Sequence, residues 1–273
     1  MGGLLFLLAA GFSLIFGLMR IANLTHGALF MLGAYLGVSI LKAVPNLWLA
    51  AIAAGLVVAA FGGLLEKFIL RKLGGNVLGQ VLVTLGVAFI LADLCLIVWG
   101  GDPIPIPTPP GLQQPLRYFG LVFPAYRLAV VAIAVLVAVV LFFLMEKTRL
   151  GAMIRAGVDD PEMARAVGIP VSRLFTTVFC LGAALAGAAG VIGGPIMSAY
   201  PGLDADMLPL ALIVVILGGV GSLLGAFVGA FITGFVYTFG VVLLPDLAYV
   251  ILFLPMLLIL VLRPQGLFGR VVS

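Results

Sequence analysis

Charge is scarce in this sequence. Only 9% of its 273 residues are charged, 64% are hydrophobic, and the mean hydropathy is +1.36. That balance excludes a soluble globular domain. Histidine occurs once and cysteine twice, so no His/Cys/acid cluster with metal-ligand spacing can be assembled. Cys95 and Cys180 both lie within apolar stretches and read as small packing residues rather than as a disulfide. The strained Gly-x-Ser-x-Gly turn of hydrolases and the Gly-x4-Gly-Lys-Ser/Thr phosphate loop are both missing, so the chain offers no residues for those chemistries. If ATP drives this protein, the nucleotide and its Mg bind another chain. Long polar-apolar alternation is missing too, which excludes a membrane β-barrel. The opening segment "MGGLLFLLAAGFSLIFGLM" lacks the basic start and small-residue cleavage site of a signal peptide, and it reads as part of the mature protein.

What is present is a series of apolar runs, near 2–19, 27–41, 47–65, 79–99, 128–145, 174–196, 207–217, 222–240 and 247–262. About 20 apolar residues are needed to cross a bilayer as a helix, so the chain reads as an all-α polytopic membrane protein. The 11-residue run at 207–217, ending in "GGVGS", is too short to cross alone. Broken or re-entrant backbone there is tolerable where protein or a water-filled cavity surrounds it. Ten of the 14 basic residues gather at Lys67, Arg71, Lys72, Lys147, Arg149, Arg155, Arg165, Arg173, Arg263 and Arg270. The positive-inside bias makes theirs the cytoplasmic side. The pI near 9.3 therefore reflects topology, not nucleic-acid binding. Residues 100–126, with "GGDPIPIPTPPGLQQP", then form an extracytoplasmic loop stiffened by proline, and Asp204, Asp206 and Asp246 share that side.

Three polar features interrupt the apolar pattern. The first is "RIANLTHGALFMLGAYLG" at 20–37, where Asn23, Thr25 and His26 can satisfy backbone groups left open at Gly27, and Arg20 marks a cytoplasmic end or steadies an interior break. Two readings stand for His26: neutral packing beside a helix break, and direct contact with a transported solute. A partial twin occurs at "GGVGSLLGAFVGAFITG", where Gly218, Gly219 and Gly221 supply the break; the likeness suggests an internal repeat. The second feature is Asp93, inside the 79–99 run. An acid in a membrane helix normally faces the bundle interior and marks a candidate functional site, with a structural hydrogen bond as the other reading. The third is "KTRLGAMIRAGVDDPEMARAVGIPVSRL" at 147–174, too polar to span. Asp160 can cap a short helix over 161–167, with Pro161 at its first position, Glu162 at its positive end and Gly168 ending it. Met163, Ala164 and Val167 would form its small apolar face, with Arg165 in water. An ordinary loop helix and a docking helix for a soluble partner both fit.

Glycine, with 36 copies, recurs every four residues at Gly182, Gly190 and Gly194 with Ala186 between, again at Gly221, Gly225 and Gly229, and once more at Gly33 and Gly37. Small residues in that register let neighbouring helices approach closely.

Taken together, "GFSLIFGLMRIANLTHGALFMLGAYLG", "RAGVDDPEMARAVGIPVSRL", "FCLGAALAGAAGVIGGPI" and "LIVVILGGVGSLLGAFVGAFITG" resemble the permease subunits of branched-chain amino-acid ABC importers, more closely the LivH-type than its LivM-type partner. The resemblance runs from Gly11 to about Gly266. It implies one transmembrane permease domain over 1–273, with about eight membrane helices in a type II-like arrangement, placed in a bacterial or archaeal inner membrane. It further implies a second permease subunit, as a LivM-type heterodimer or a homodimer. Two cytoplasmic ATPases and an extracytoplasmic binding protein complete the assembly, and this chain carries no cofactor of its own. The 147–173 segment would be the coupling loop, through Asp160, Pro161, Glu162, Ala164, Arg165 and Gly168. Leu24, Thr25 and Ala28 stand where the family commonly has Phe, Ala and Glu. Permeases for urea or short amides are therefore the near alternative, and an ATP-independent channel or ion-driven carrier the more distant one.

Overall fold

The computed structural model describes residues 1–19, 23–118, 121–243 and 247–269. Arg20, Pro245, Asp246 and Arg270 lie outside the described residues. Every apolar run is helical: α1 (Gly2–Met19), α2 (His26–Ala43), α3 (Leu47–Phe68), α4 (Val77–Trp99), α5 (Ala125–Lys147), α8 (Val171–Met197), α9 (Leu203–Gly218), α10 (Leu223–Leu243) and α11 (Ala248–Leu262). Between α5 and α8 lie α6 (Arg149–Asp159) and α7 (Pro161–Ala166). Caps sit where the sequence offers them. Asn46 Oδ1 accepts from the N–H groups of Trp48 and Leu49 at 3.0 and 3.2 Å and opens α3. Asn76 does the same for α4 through Gly79 N–H at 2.8 Å, each cap satisfying donors that a helix start leaves free.

Six helical segments among the described residues are long and apolar enough to cross a membrane: His26–Ala43, Leu47–Leu73, Val77–Trp99, Ala125–Lys147, Val171–Met197 and Leu223–Leu243. Gly2–Gly17 and Val250–Leu262 are shorter apolar helices. The chain is thus a multi-pass, all-α membrane protein.

The proline-rich loop at 100–124 is not purely extended. Leu116–Tyr118 (β1) and Leu121–Phe123 (β2) form an antiparallel hairpin, with Leu116 opposite Phe123. Ile104 and Ala199 exchange two backbone hydrogen bonds at 2.8 and 2.9 Å, pinning the proline-rich segment to the chain just beyond α8. Backbone pairing, which proline permits at strand edges, therefore shapes part of a loop that its prolines alone would leave open.

The core is organised around α8, on which α1, α2 and α3 all pack. Glycine makes this possible. A Cβ on Gly33 of α2 would collide with the backbone of Gly187, and one on Gly190 would collide with the carbonyl of Phe30. Gly182 faces Gly11 and Ile15 of α1, and Gly194 faces Ile106, so the four-residue glycine register is spent on close packing. The hairpin of α9 and α10 closes in the same way, Gly218 against Gly225 and Gly229 against Val214. The opposite faces of α4 and α5 stay uncovered by the chain itself: Ile97 is 78% and Leu136 62% exposed.

Candidate functional site

The polar segment at 20–37 is a tie between three helices. α1 ends at Met19 and α2 begins at His26. Within the described part of the break, Asn23 Oδ1 accepts from Thr25 N–H at 3.2 Å. Thr25 Oγ1 then donates to the carbonyl of Thr84 in α4 at 2.8 Å, and Leu24 N–H donates to Thr84 Oγ1 at 3.3 Å. His26 Nε2 lies 3.0 Å from the carbonyl of Leu8 in α1, and its ring packs 5.3 Å from that of Phe12. A carbonyl can only accept, so Nε2 is the donor in this bond. Asn23, Thr25 and His26 are each fully buried. The groups they satisfy are not at Gly27: Asn23 takes the Thr25 N–H, Thr25 the Thr84 carbonyl of α4 and His26 the Leu8 carbonyl of α1. Gly27 serves instead as a contact, where a Cβ would stand 2.5 Å from the carbonyl of Asp204 and 2.9 Å from Leu208 Cβ. Thr84 stands among apolar residues of the 79–99 run, and nothing in the sequence marks a partner 59 positions away.

The second break, at 218–222, has a different construction. Gly219 and Gly221 take φ values of +97° and +79°, backbone that side chains other than glycine rarely adopt. The last carbonyls of α9 are not left open: Leu267 N–H donates to Leu217 O at 2.9 Å and Phe268 N–H to Gly218 O at 3.0 Å. The chain beyond α11 therefore caps α9. Gly221 also sits against Gly17, where a Cβ on Gly17 would collide with its Cα. Both breaks thus touch α1, His26 at Leu8 and Gly221 at Gly17. At about 1.5 Å per residue those two points are roughly 13 Å apart along the helix, and they form separate places, not one pocket.

Asp93 belongs to neither. It is exposed on α4, on the stripe that carries Phe89 (63% exposed) and Ile97 (78%), so the expectation of an acid facing the interior is corrected for this chain's own bundle. The three-to-four-residue period of the helix carries position 93 onto the face opposite Thr84, Ala88, Leu91 and Cys95, which are buried. No group of three or more His, Cys, Asp or Glu that could hold a metal ion occurs among the described residues.

The 147–173 segment is more structured than a single capped turn. Thr148 Oγ1 accepts from Gly151 N–H at 3.2 Å to start α6. Leu150, Met153, Ile154 and Val158 repeat at helical spacing, a signal present in the sequence but masked by the flanking charges. Arg155 donates to the carbonyl of Met145 and lies 3.7 Å from Glu146, folding α6 back on the end of α5. Asp160 Oδ1 accepts from Glu162 N–H at 3.0 Å and Met163 N–H at 2.9 Å, and Pro161 opens α7. The far end is a Schellman closure: Ile169 N–H donates to Ala164 O at 2.9 Å and Gly168 N–H to Arg165 O at 3.0 Å, with Gly168 at φ +86°. α7 therefore stops at Ala166, one residue short of the expected end, because Val167 is its C-cap. Ala164 is also corrected. It is 3% exposed and holds α7 down, while Met163 and Val167, 61% and 68% exposed, are the apolar side chains turned outward. Glu162 and Arg165 flank them and are exposed as well.

The chain is a helical membrane bundle with broken helices and a capped short helix carrying an outward apolar pair. Residues 1–260 match the family described as branched-chain amino acid transport system permease component, and the chain belongs to that family. It is 30% identical to the high-affinity branched-chain amino acid transport system permease protein BraD of Pseudomonas aeruginosa, over 97% of this chain and 91% of that one. It is 26% identical to LivH of Escherichia coli K12 over the same shares. A fructose import permease protein, FruF of Bifidobacterium longum, is 25% identical over 81% of this chain and 61% of its own. No solved structure matches the chain. The protein is accordingly a permease subunit of the ABC importer type, a role that implies partner subunits.

Proposed function

We propose that this chain moves branched-chain, hydrophobic amino acids inward across a bacterial or archaeal inner membrane as one permease of a two-permease importer. Two cytoplasmic ATPases hold the ATP and Mg and drive it, and an extracytoplasmic binding protein delivers the substrate. The chain itself carries out no bond chemistry and binds no cofactor. The second permease, of the LivM type or a further copy of this chain, covers the exposed faces of α4 and α5, and lipid covers the rest.

The observation that carries this reading is α7. It is a short helix closed at both ends, by Asp160 and by Gly168, with Met163 and Val167 turned outward between Glu162 and Arg165. Two exposed apolar side chains on a helix rigidly capped at each end suit a cleft in a soluble partner, whereas a channel or an ion-driven carrier has no use for them. A pathway for a delivered amino acid needs little affinity of its own, because tight binding there would slow release. Apolar helix faces with few polar groups meet that need, and selectivity then rests with the binding protein.

Affinity purification of the tagged chain from its native host tests the proposal. ATPase subunits and a second permease should co-purify, and proteoliposomes of that complex with the binding protein should accumulate labelled leucine only when ATP is present. A chain that purifies alone and conducts without ATP would overturn it. Accumulation of urea or acetamide in place of leucine would keep the importer and replace its substrate.

A further inference from the structure

Among the described residues, Glu66 is the only Asp, Glu, Lys or Arg that is buried, at 1% exposure. It sits in the last turn of α3, and each of its oxygens has a partner. Oε1 accepts from Arg71 Nε at 3.2 Å, and Oε2 accepts from Arg71 Nη2 at 2.8 Å and from Thr176 Oγ1 at 2.7 Å. Arg71, from the single 3-10 turn Leu70–Leu73, also donates to the carbonyl of Ser172 at 3.0 Å and meets the Thr176 hydroxyl. Ser172 and Thr176 belong to the first turns of α8, immediately after α7 and its Gly168 closure. The ends of α3 and α8 are thus joined by Thr176 Oγ1 on Glu66 and by Arg71 on the Ser172 carbonyl, contacts spanning 110 and 101 positions, while the bidentate Glu66–Arg71 pair, five residues apart, locks the two α3-side groups to each other.

The rest of the α3–α8 interface explains why a clasp is needed. It is lined by small residues: Gly55 lies against Ala184 and Ala188, Gly62 against Ala183, and Gly63 against Cys180. Such faces pack closely but carry few interlocking side chains, so they resist separation more than sliding. The bidentate pair fixes the Arg71 guanidinium against Glu66, so that both present their remaining bonds to Ser172 and Thr176 of α8, and removing Arg71 leaves the buried Glu66 charge uncompensated. Arg71 marks the cytoplasmic side by its charge, yet its guanidinium is directed at α8.

The contacts continue beyond the clasp. Gln80 Nε2 donates to the carbonyl of Leu73 at 3.3 Å, binding the 3-10 turn to α4. One turn further along α4, Thr84 holds Leu24 and Thr25 in the polar break.

We infer that Glu66, Arg71 and Thr176 form a mechanical clasp that makes α3 move with α8 when α7 is displaced, with Glu66 as the positioning residue for energy coupling. The inference rests on the reading of α7 as the ATPase-contacting helix. Through Gln80 and Thr84 the same displacement reaches the break at residues 23–26, which gives the ATPase contact a polar route to the interior.

The test uses the complete transporter in proteoliposomes with two variants. Glu66→Gln keeps size and hydrogen-bond acceptance but removes the charge. Glu66→Met with Arg71→Met replaces the whole pair by apolar side chains, a change that buried ion pairs often tolerate without loss of stability. Substrate imported per ATP hydrolysed should fall by about tenfold in each, in the upper part of the range that network substitutions produce, while assembly and ATP hydrolysis persist. Spin labels at Phe68→Cys and Thr177→Cys, both exposed positions, in a Cys95→Ala, Cys180→Ala background should report one α3–α8 distance with and without ATP. In Glu66→Gln that distance should broaden. Assembled variants that import the wild-type amount per ATP overturn the clasp, as does a fall in import with an unchanged distance. Failure of the ATPases to co-purify with the wild-type chain overturns instead the reading of α7.

Discussion

Thr25 Oγ1 donates to the backbone carbonyl of Thr84 across 2.8 Å, joining the polar break to α4 over 59 positions of sequence. The Thr25 side chain occupies the N-cap position of α2 without capping it. Its hydroxyl is committed to the neighbouring helix instead, so the break is held both by its own Asn23–Thr25 and Asn23–His26 bonds and by α4. With His26 on the Leu8 carbonyl at one end and Trp99 Nε1 donating to Ser39 Oγ at the other, that bond is one of three polar ties from α2 to its neighbours among the described residues.

Thr25→Val keeps the shape and removes the hydroxyl. The loss of one buried hydrogen bond costs about 1 kcal/mol, a lowering of Tm by roughly 2–4 °C for a chain of this size. Thr25→Ser retains the donor and should fall between wild type and Val. Thermal unfolding of the detergent-purified chain checks this, and equal Tm values for Val and Ser would show that the bond contributes nothing.

For His26 the geometry favours packing. Its Nε2 serves the Leu8 carbonyl, its ring lies on Phe12, and none of it reaches a surface. His26→Gln, with an amide donor that can reach the same carbonyl, should leave the KM for uptake within about twofold, since no uniform binding interaction is removed. His26→Leu should cost about 1 kcal/mol in stability through the lost bond. A KM raised by tenfold or more in His26→Gln, measured by labelled uptake, would make the imidazole a substrate contact.

The same substitution should have opposite results at two glycines. A Cβ on Gly33 meets the backbone of Gly187, whereas one on Gly86 meets nothing within 4 Å. Gly33→Ala forces two helices apart and should cost about 1–3 kcal/mol. Gly86→Ala gains helix propensity of up to about 1 kcal/mol and should be neutral or stabilising in the isolated chain. Tm values of the two purified variants decide it. A loss of importer assembly by Gly86→Ala alone would place that glycine under the second permease.

At α7, stability and function separate. Asp160→Ala removes a two-bond cap worth about 1 kcal/mol, and Gly168→Ala must hold φ +86° at a cost of about 1 kcal/mol or more. Both should loosen α7 and lower uptake while the bundle keeps its Tm. Met163→Glu leaves every cap intact and places charge on the outward apolar pair, so it should abolish ATPase retention in pull-downs. Full retention by Met163→Glu would remove Met163 from the contact.

What could be read from the sequence follows physical range. The helices appeared as apolar runs because length and hydropathy are properties of contiguous residues. The same holds for the Asp160, Pro161 and Gly168 signals, whose hydrogen bonds close within five residues. The helix α6 escaped notice because charged neighbours diluted its apolar period. The β1–β2 hairpin escaped because three-residue strands carry too few positions to show alternation. The inward turn of Ala164 and the outward turn of Asp93 depend on which face of a helix meets its neighbours, and a span that is apolar all round carries no preference for either.

Composition, the order of apolar runs and the cap signals at 160–168 determined by themselves that this is an α-helical multi-pass membrane protein with a capped short helix, and the motifs carried the likeness to a permease. Each of those signals acts over one helix or less. Tertiary structure alone decided that Thr25 binds Thr84, that Gly17 meets Gly221, and that Glu66 and Arg71 clasp α8. Those pairings join residues from 5 to more than 200 positions apart. Their geometry exists only once glycine-lined helices have closed on one another, because burial then obliges each polar group to find the partner that packing has placed beside it.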